Sequence, residues 1–136
     1  MDAVTKGEAI SFSHMKDLRY IDAILKETLR LQPPVGMFSV KPKAGPYTFK
    51  SGHAIAADES IGVLVAKLHR DPLVWGRDAD VFDPDRMLNG GFEGLPPNSW
   101  KPFGNGPRAC IGRSFAWQEA TLLVRDLACE IDAYHG

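Results

Sequence analysis

Leu18, Ile21, Leu25 and Thr28 recur at three- and four-residue spacing, which predicts an amphipathic helix from an N-cap at Ser13 to about Leu31, where Pro33 and Pro34 end it. Beyond that point the helical period is lost. Short apolar segments at residues 37–41, 47–49, 53–56 and 61–65 are punctuated by Pro42, Gly45, Pro46 and Gly52, and so read as small strands and turns of a minor sheet. A brief helical stretch at residues 66–69 follows. Residues 71–109 then carry Pro72, Pro84, Pro96, Pro97, Pro102 and Pro107 among repeated glycines, a pattern no long helix or strand tolerates. Irregular connections beyond about 12–15 residues are uncommon in compact domains. This one also holds Trp75, Phe82, Phe92, Trp100 and Phe103, which predicts an ordered, packed meander. From Ile111 the chain returns to helix, with Phe115, Leu122 and Leu123 on its apolar side.

Composition changes this picture little. At 136 residues, 44% hydrophobic and 24% charged, residues 1–136 read as one unit of α+β class, mainly α, with no repeat and no internal boundary. A formal net charge of -1 and the lack of any Lys/Arg run exclude the basic field that gathers nucleic acid. No apolar stretch approaches the roughly 18 residues of a membrane span, and the first residues lack the plan of a signal peptide, so the expectation is a soluble, cytoplasmic chain. Cys110 and Cys129 lie about five helical turns apart, too far to meet, and both are expected to be free thiols.

The chemistry concentrates at Phe103-Gly104-Asn105-Gly106-Pro107-Arg108-Ala109-Cys110-Ile111-Gly112. A glycine-rich turn here delivers one cysteine onto the start of a helix, where unpaired backbone N–H groups, the macrodipole and the Arg108 cation all favour a metal-binding thiolate. A buried structural cysteine is the commoner fate of a lone Cys. The same residues also offer Gly104-x-Gly106-x-x-Ala109, with Asp126 further on, as a dinucleotide fingerprint. That fingerprint must follow a buried strand, and Trp100-Lys101-Pro102 is not one. Glu27 and Arg30, at i and i+3, form either a surface ion pair worth about 0.2–0.5 kcal/mol or part of a buried network. His14, His53, His69 and His135 have no paired metal-ligand spacing and read as ordinary polar residues.

The pattern F-x-x-G-x-R-x-C-x-G resembles the haem-binding signature of the cytochrome P450 family. Glu27-x-x-Arg30 matches that family's E-x-x-R helix, and Asp83-Pro84-Asp85-Arg86-Met87 stands at its third-arginine segment, departing from the usual P-E-R-F at Asp85 and Met87. The resemblance implies a partial P450 fold: the E-x-x-R helix, small β segments, the meander, the cysteine loop and the following helix. It makes Cys110 the axial iron ligand of haem b (iron protoporphyrin IX), with Phe103 shielding the sulfur. Gly106 and Gly112 would allow close approach of the macrocycle, and Arg108 would neutralise a propionate. It joins Glu27, Arg30 and Arg86 in a charge network. Val35, Gly36 and Met37 fall where the family lines its substrate pocket.

Residues 95–106 and 115–120 look most like the self-sufficient fatty-acid hydroxylases, in which the haem domain is fused to a flavin reductase. The implied activity is insertion of one oxygen atom of O2 into a small apolar, fatty-acid-like substrate. Electrons would come from NADPH through FAD and FMN of a fused or separate flavin reductase. The resemblance also marks residues 1–136 as a C-terminal portion of a haem domain, without the helix that delivers protons to bound dioxygen. A non-catalytic haem-binding remnant is the alternative, and a dinucleotide-binding module is a weaker one.

Overall fold

A computed structural model describes residues 18–135. The first helix, α1 (Arg19–Leu31), begins after Leu18, while the N-cap expected at Ser13 lies outside the described residues. Its last turn closes with the Gln32 N–H on the Thr28 carbonyl at 2.7 Å, and Pro33-Pro34 then forbids continuation. The buried face of α1 differs from the apolar period. Ile21 and Ala23 are buried as expected of small and branched apolar residues, but Glu27 and Arg30 are buried beside them and Thr28 is exposed.

Four short strands follow: β1 (Met37–Val40), β2 (Tyr47–Thr48), β3 (Ala54–Ile55) and β4 (Ile61–Leu64). They make two antiparallel ribbons rather than one sheet. β1 pairs with β4 from Met37 opposite Leu64 to Val40 opposite Ile61, and β2 pairs with β3 as a hairpin. Gly52 turns the hairpin at φ +88°, a left-handed conformation that glycine enters without steric cost. β4 leads directly into a single helical turn, α2 (Val65–Leu68), one residue earlier than its pattern predicts.

The meander is ordered, as its aromatics predict. It opens with the short helix α3 (Pro72–Trp75), where Asp71 accepts the Leu73 N–H and Pro72 occupies the first turn without wasting a donor. A 3-10 turn at Pro84–Met87 repeats the device with Asp83 accepting the Asp85 N–H. Ala23, Trp75, Ala79 and Met87 form the core, with Val74, Leu88, Phe92, Leu95 and Trp100 packed around it. The meander thus lays its apolar side chains against α1, and irregular backbone becomes a packed layer.

The last helix, α4 (Arg113–His135), starts two residues later than Ile111. Its inward side also departs from expectation. Phe115 is 71% and Leu123 59% exposed, whereas Thr121 is buried and Trp117 half-buried. The Trp117 indole N–H donates to Asp22 Oδ1 at 3.0 Å and so docks α4 on α1. The side of α4 that meets α1 carries Trp117, which also packs its ring on Trp100 and Phe103. The architecture is α+β, mainly α. Among the described residues no helix is long and apolar enough to cross a membrane.

Candidate functional site: a buried charge network beneath a cysteine loop

The structure brings Glu27, Arg30 and Arg86 together in a buried ionic cluster. Arg30 Nε and Nη2 donate to Glu27 Oε2 and Oε1, each at 2.7 Å, and both side chains are fully buried. A planar guanidinium has five N–H donors. The other three reach the carbonyls of His69 (2.8 Å), Ala79 (2.5 Å) and Val81 (3.0 Å), so every donor of this buried cation is satisfied. The Trp75 ring lies 5.0 Å from the guanidinium carbon and adds a cation–π face.

Glu27 is equally saturated. Its Oε1 also accepts from Arg86 Nε at 3.1 Å and from the Asp83 N–H at 3.0 Å. Arg86 extends outwards to the Trp75 carbonyl (3.3 Å) and to Asp78 Oδ2 (3.0 Å). Burial alone would lower the Arg86 pKa, but its bond to Asp78 and the Glu27 charge outweigh this and hold the guanidinium above its ordinary value. The Arg86 hydrogen bond in turn lowers the Asp78 carboxyl. One helix is thereby riveted to the meander at Ala79, Val81, Asp83 and Arg86.

His69 belongs to this cluster, which corrects its reading as an ordinary polar residue. It is fully buried, and its Nδ1 lies 3.1 Å from the Arg30 carbonyl. Its Nε2 lies 2.8 Å from the Lys101 backbone N–H, which can only donate. Nε2 is therefore the bare nitrogen and Nδ1–H the donor. Desolvation lowers the pKa of this imidazole, and the nearby Arg30 and Arg70 cations act in the same direction. No ligand spacing flags such a histidine. The adjoining Arg70-Asp71-Pro72, whose Asp71 caps α3, was the available sign of a structured corner.

From Lys101 the chain enters the cysteine loop. The Gly104 N–H donates to the Lys101 carbonyl at 3.1 Å, and the Cys110 N–H to the Phe103 carbonyl at 2.9 Å, closing the loop across its base. Gly104 and Gly106 hold φ of +66° and +65°, which β-carbon-bearing residues enter only at a cost. A 3-10 turn at Gly106–Arg108 carries Arg108 to the surface. The Phe103 ring packs with Trp100 and Trp117, at centroid distances of 6.4 and 6.2 Å, and Arg113 lies 5.7 Å above it.

Cys110 itself is an exposed free thiol. It sits just ahead of α4, its carbonyl accepting the Arg113 N–H at 3.4 Å. A β-carbon at Gly112 would lie 3.9 Å from Sγ, so this glycine leaves one side of the sulfur open. Ala109 and Ile111 flank it, both exposed, and Ile111 is fully so. Cys129 lies in α4, but its side chain is outside the described set. Val35, Gly36 and Met37 form a separate exposed corner at the start of β1, where the Gly36 carbonyl accepts the Ala66 N–H.

The dinucleotide alternative loses its context. Residues 100–103 form no strand, both ribbons are antiparallel, and Asp126 is an exposed residue of α4 paired with Arg125.

A family model for cytochrome P450 matches residues 1–127. The chain belongs to the cytochrome P450 family. It is similar to self-sufficient cytochrome P450 monooxygenases of Aspergillus terreus (55% identical over 91% of this chain and 12% of that protein) and Penicillium expansum (48% over 99% and 13%). A third, from Aspergillus niger, is 52% identical over 88% of this chain and 11% of its own length. The chain therefore spans about an eighth of the length of the curated relatives it matches.

The family's haem is compatible with what the P450 loop offers. Axial ligation needs one accessible sulfur with an open face beside it, and a flat apolar macrocycle needs apolar surface to cover. The free Cys110 thiol, the gap left by Gly112 and the bare Ile111 supply these. Arg108 is exposed at the surface, where it can meet an anionic edge.

Proposed function

We propose that this chain is the C-terminal, proximal part of a P450 haem domain, in which Cys110 is the axial thiolate ligand of haem b. The parent reaction is insertion of one atom of O2 into an organic substrate. The observation that carries the proposal is an exposed free thiol presented by a glycine loop that closes across its base through the Cys110 N–H and the Phe103 carbonyl.

When bound, a thiolate-ligated haem favours O–O cleavage, the chemistry a monooxygenase requires. The residues of this chain position it. Cys110 supplies the sulfur, and the Cys110–Phe103 backbone bond fixes where that sulfur points. Phe103, locked among Trp100, Trp117 and Arg113, walls the proximal side against water. Gly106 and Gly112 permit close approach, and Arg108 pairs a propionate through its fork of donors. Glu27, Arg30 and Arg86 fix the meander beneath the loop. Val35, Gly36 and Met37 contribute an apolar wall to the substrate pocket, suited to a small, fatty-acid-like molecule.

The names of the relatives favour a fused flavin reductase, with FAD and FMN passing electrons from NADPH. The exposed Phe115, Leu123 and Leu127 on α4 give the remainder of a haem domain apolar surface to bury.

The carbon-monoxide difference spectrum of the dithionite-reduced 136-residue chain with haem, run beside Cys110→Ala, tests this. A red-shifted thiolate-type Soret band that Cys110→Ala abolishes is the expected result. Identical spectra in the two proteins would reject Cys110 as the ligand.

A further inference from the structure

We propose that His69 is the positioning residue that transmits the rigidity of the Arg30 network to the cysteine loop, acting as a neutral Nδ1–H imidazole between the Arg30 carbonyl and the Lys101 N–H. Its consequence for the sulfur rests on the reading of Cys110 as iron ligand; the tether itself does not.

The charge network grips α1 and the meander as far as Asp83 and Arg86, and none of its hydrogen bonds reaches the loop directly. The connection runs through His69. Arg30 holds this residue from two sides, its Nη1 donating to the His69 carbonyl at 2.8 Å while its own carbonyl accepts from His69 Nδ1 at 3.1 Å. The far nitrogen, Nε2, accepts the Lys101 N–H at 2.8 Å. Lys101 is where the loop begins. Its carbonyl takes the Gly104 N–H, and one residue before that glycine the Phe103 carbonyl takes the Cys110 N–H. The path from Arg30 to Cys110 is therefore four hydrogen bonds joined by short lengths of backbone, with the side chain of His69 at its junction.

The chemistry of the junction is specific. It needs an acceptor facing Lys101 and a donor facing Arg30 in one rigid side chain, both inside a fully buried site. Neutral imidazole provides both. Pro102, next to Lys101, is buried and has no N–H, so it cannot replace the Lys101 N–H as a backbone donor here.

Two substitutions divide the two bonds. In His69→Gln the side-chain oxygen reaches the Nε2 position and keeps the acceptor for Lys101. In His69→Asn the amide nitrogen stays near Nδ1 and keeps the donor to Arg30, while Lys101 loses its partner. Hydrogen exchange at individual amides of the full chain, with the urea midpoint of each variant as control, reads the tether without haem. Loss of one such bond is worth roughly tenfold in local opening. His69→Asn is expected to speed exchange at Lys101 and Cys110 by about that factor beyond any change in global stability, with His69→Gln restoring protection. With haem and carbon monoxide, His69→Asn should shift intensity from the thiolate-type band towards a thiol-type band, and His69→Gln should reverse the shift.

Equal exchange at Lys101 and Cys110 in both variants, whatever their urea midpoints, overturns the tether. If exchange splits as described but the unsubstituted chain gives no Cys110-dependent band, the tether stands and the haem reading fails. If the band is present and neither variant alters exchange or spectrum, the haem reading stands and His69 is not the link.

Discussion

Arg30 meets Glu27 side-on, Nε to Oε2 and Nη2 to Oε1 at 2.7 Å each, one turn apart on α1 with neither side chain touching solvent. Bidentate geometry of this kind joins the strongest hydrogen bonding available to a carboxylate with the full desolvation of two ions. The pair persists because three carbonyls and a second arginine satisfy what the pair alone leaves over.

Removing one member leaves a buried charge without its partner. Arg30→Ala should lower unfolding free energy by about 3–5 kcal/mol, whereas Asp80→Ala, which breaks an ion pair to Arg70 whose carboxylate is largely exposed, should cost at most about 1 kcal/mol. Urea denaturation of both variants checks the contrast. A neutral Arg30→Ala would mean that the network does not hold the fold.

Acid should weaken the fold through His69. Its folded pKa lies below the ordinary 6.5, so over the interval between the two values the unfolded chain binds more protons. Stability from the neutral imidazole is thus complete above pH 6.5 and is lost as pH falls through the folded value. Asp78, also depressed, contributes in the same sense but only below its ordinary 3.8. Urea midpoints measured between pH 7.5 and 4 should fall for the unsubstituted chain and fall less for His69→Gln, whose amide does not titrate. Parallel curves would remove His69 as the source.

Much of this was legible in the sequence, and the misses share a cause. Punctuation by proline and glycine located the strands, the meander and the loop, because those residues restrict backbone geometry whatever surrounds them. The spacing of Glu27 and Arg30 offered a surface pair or a buried one, and only the carbonyls of residues 69, 79 and 81 decide between them. Apolar periodicity mistook the inward side of α4 because Trp117 is turned towards Asp22, a partner 95 residues away. His69 was missed because its two partners are backbone groups, which leave no mark on residue spacing. The cysteine loop was legible as a motif, while its attachment to the rest of the molecule was not.

Backbone crowding in the meander gives a sharp comparison between two glycines. A β-carbon at Gly91 would run into the Arg86 carbonyl oxygen and press on that of Leu88, whereas one at Gly36 would meet nothing within 4 Å. Gly91→Ala should cost about 1–3 kcal/mol and loosen Arg86, and Gly36→Ala should stay within about 0.5 kcal/mol of the unsubstituted chain. Thermal unfolding of the pair checks this. Equal midpoints would mean that residues 86–91 relax freely.

Trp100 ties α1, the meander and the cysteine loop together by two separable means. Its indole N–H donates to the Lys26 carbonyl at 3.1 Å, and its ring meets Phe92 and Trp117 edge-on at 5.2 and 6.2 Å. Trp100→Phe removes the donor and keeps most of the packing, so it should cost about 1 kcal/mol. Trp100→Ala removes both and should cost about 3 kcal/mol, the lower end for truncating a packed tryptophan, since the ring is only partly buried. Phe103 then loses a neighbour, so loop amides should exchange faster in Trp100→Ala than in Trp100→Phe. If the two variants unfolded together, the hydrogen bond to Lys26 and not the aromatic cluster would be what holds the loop's base on α1.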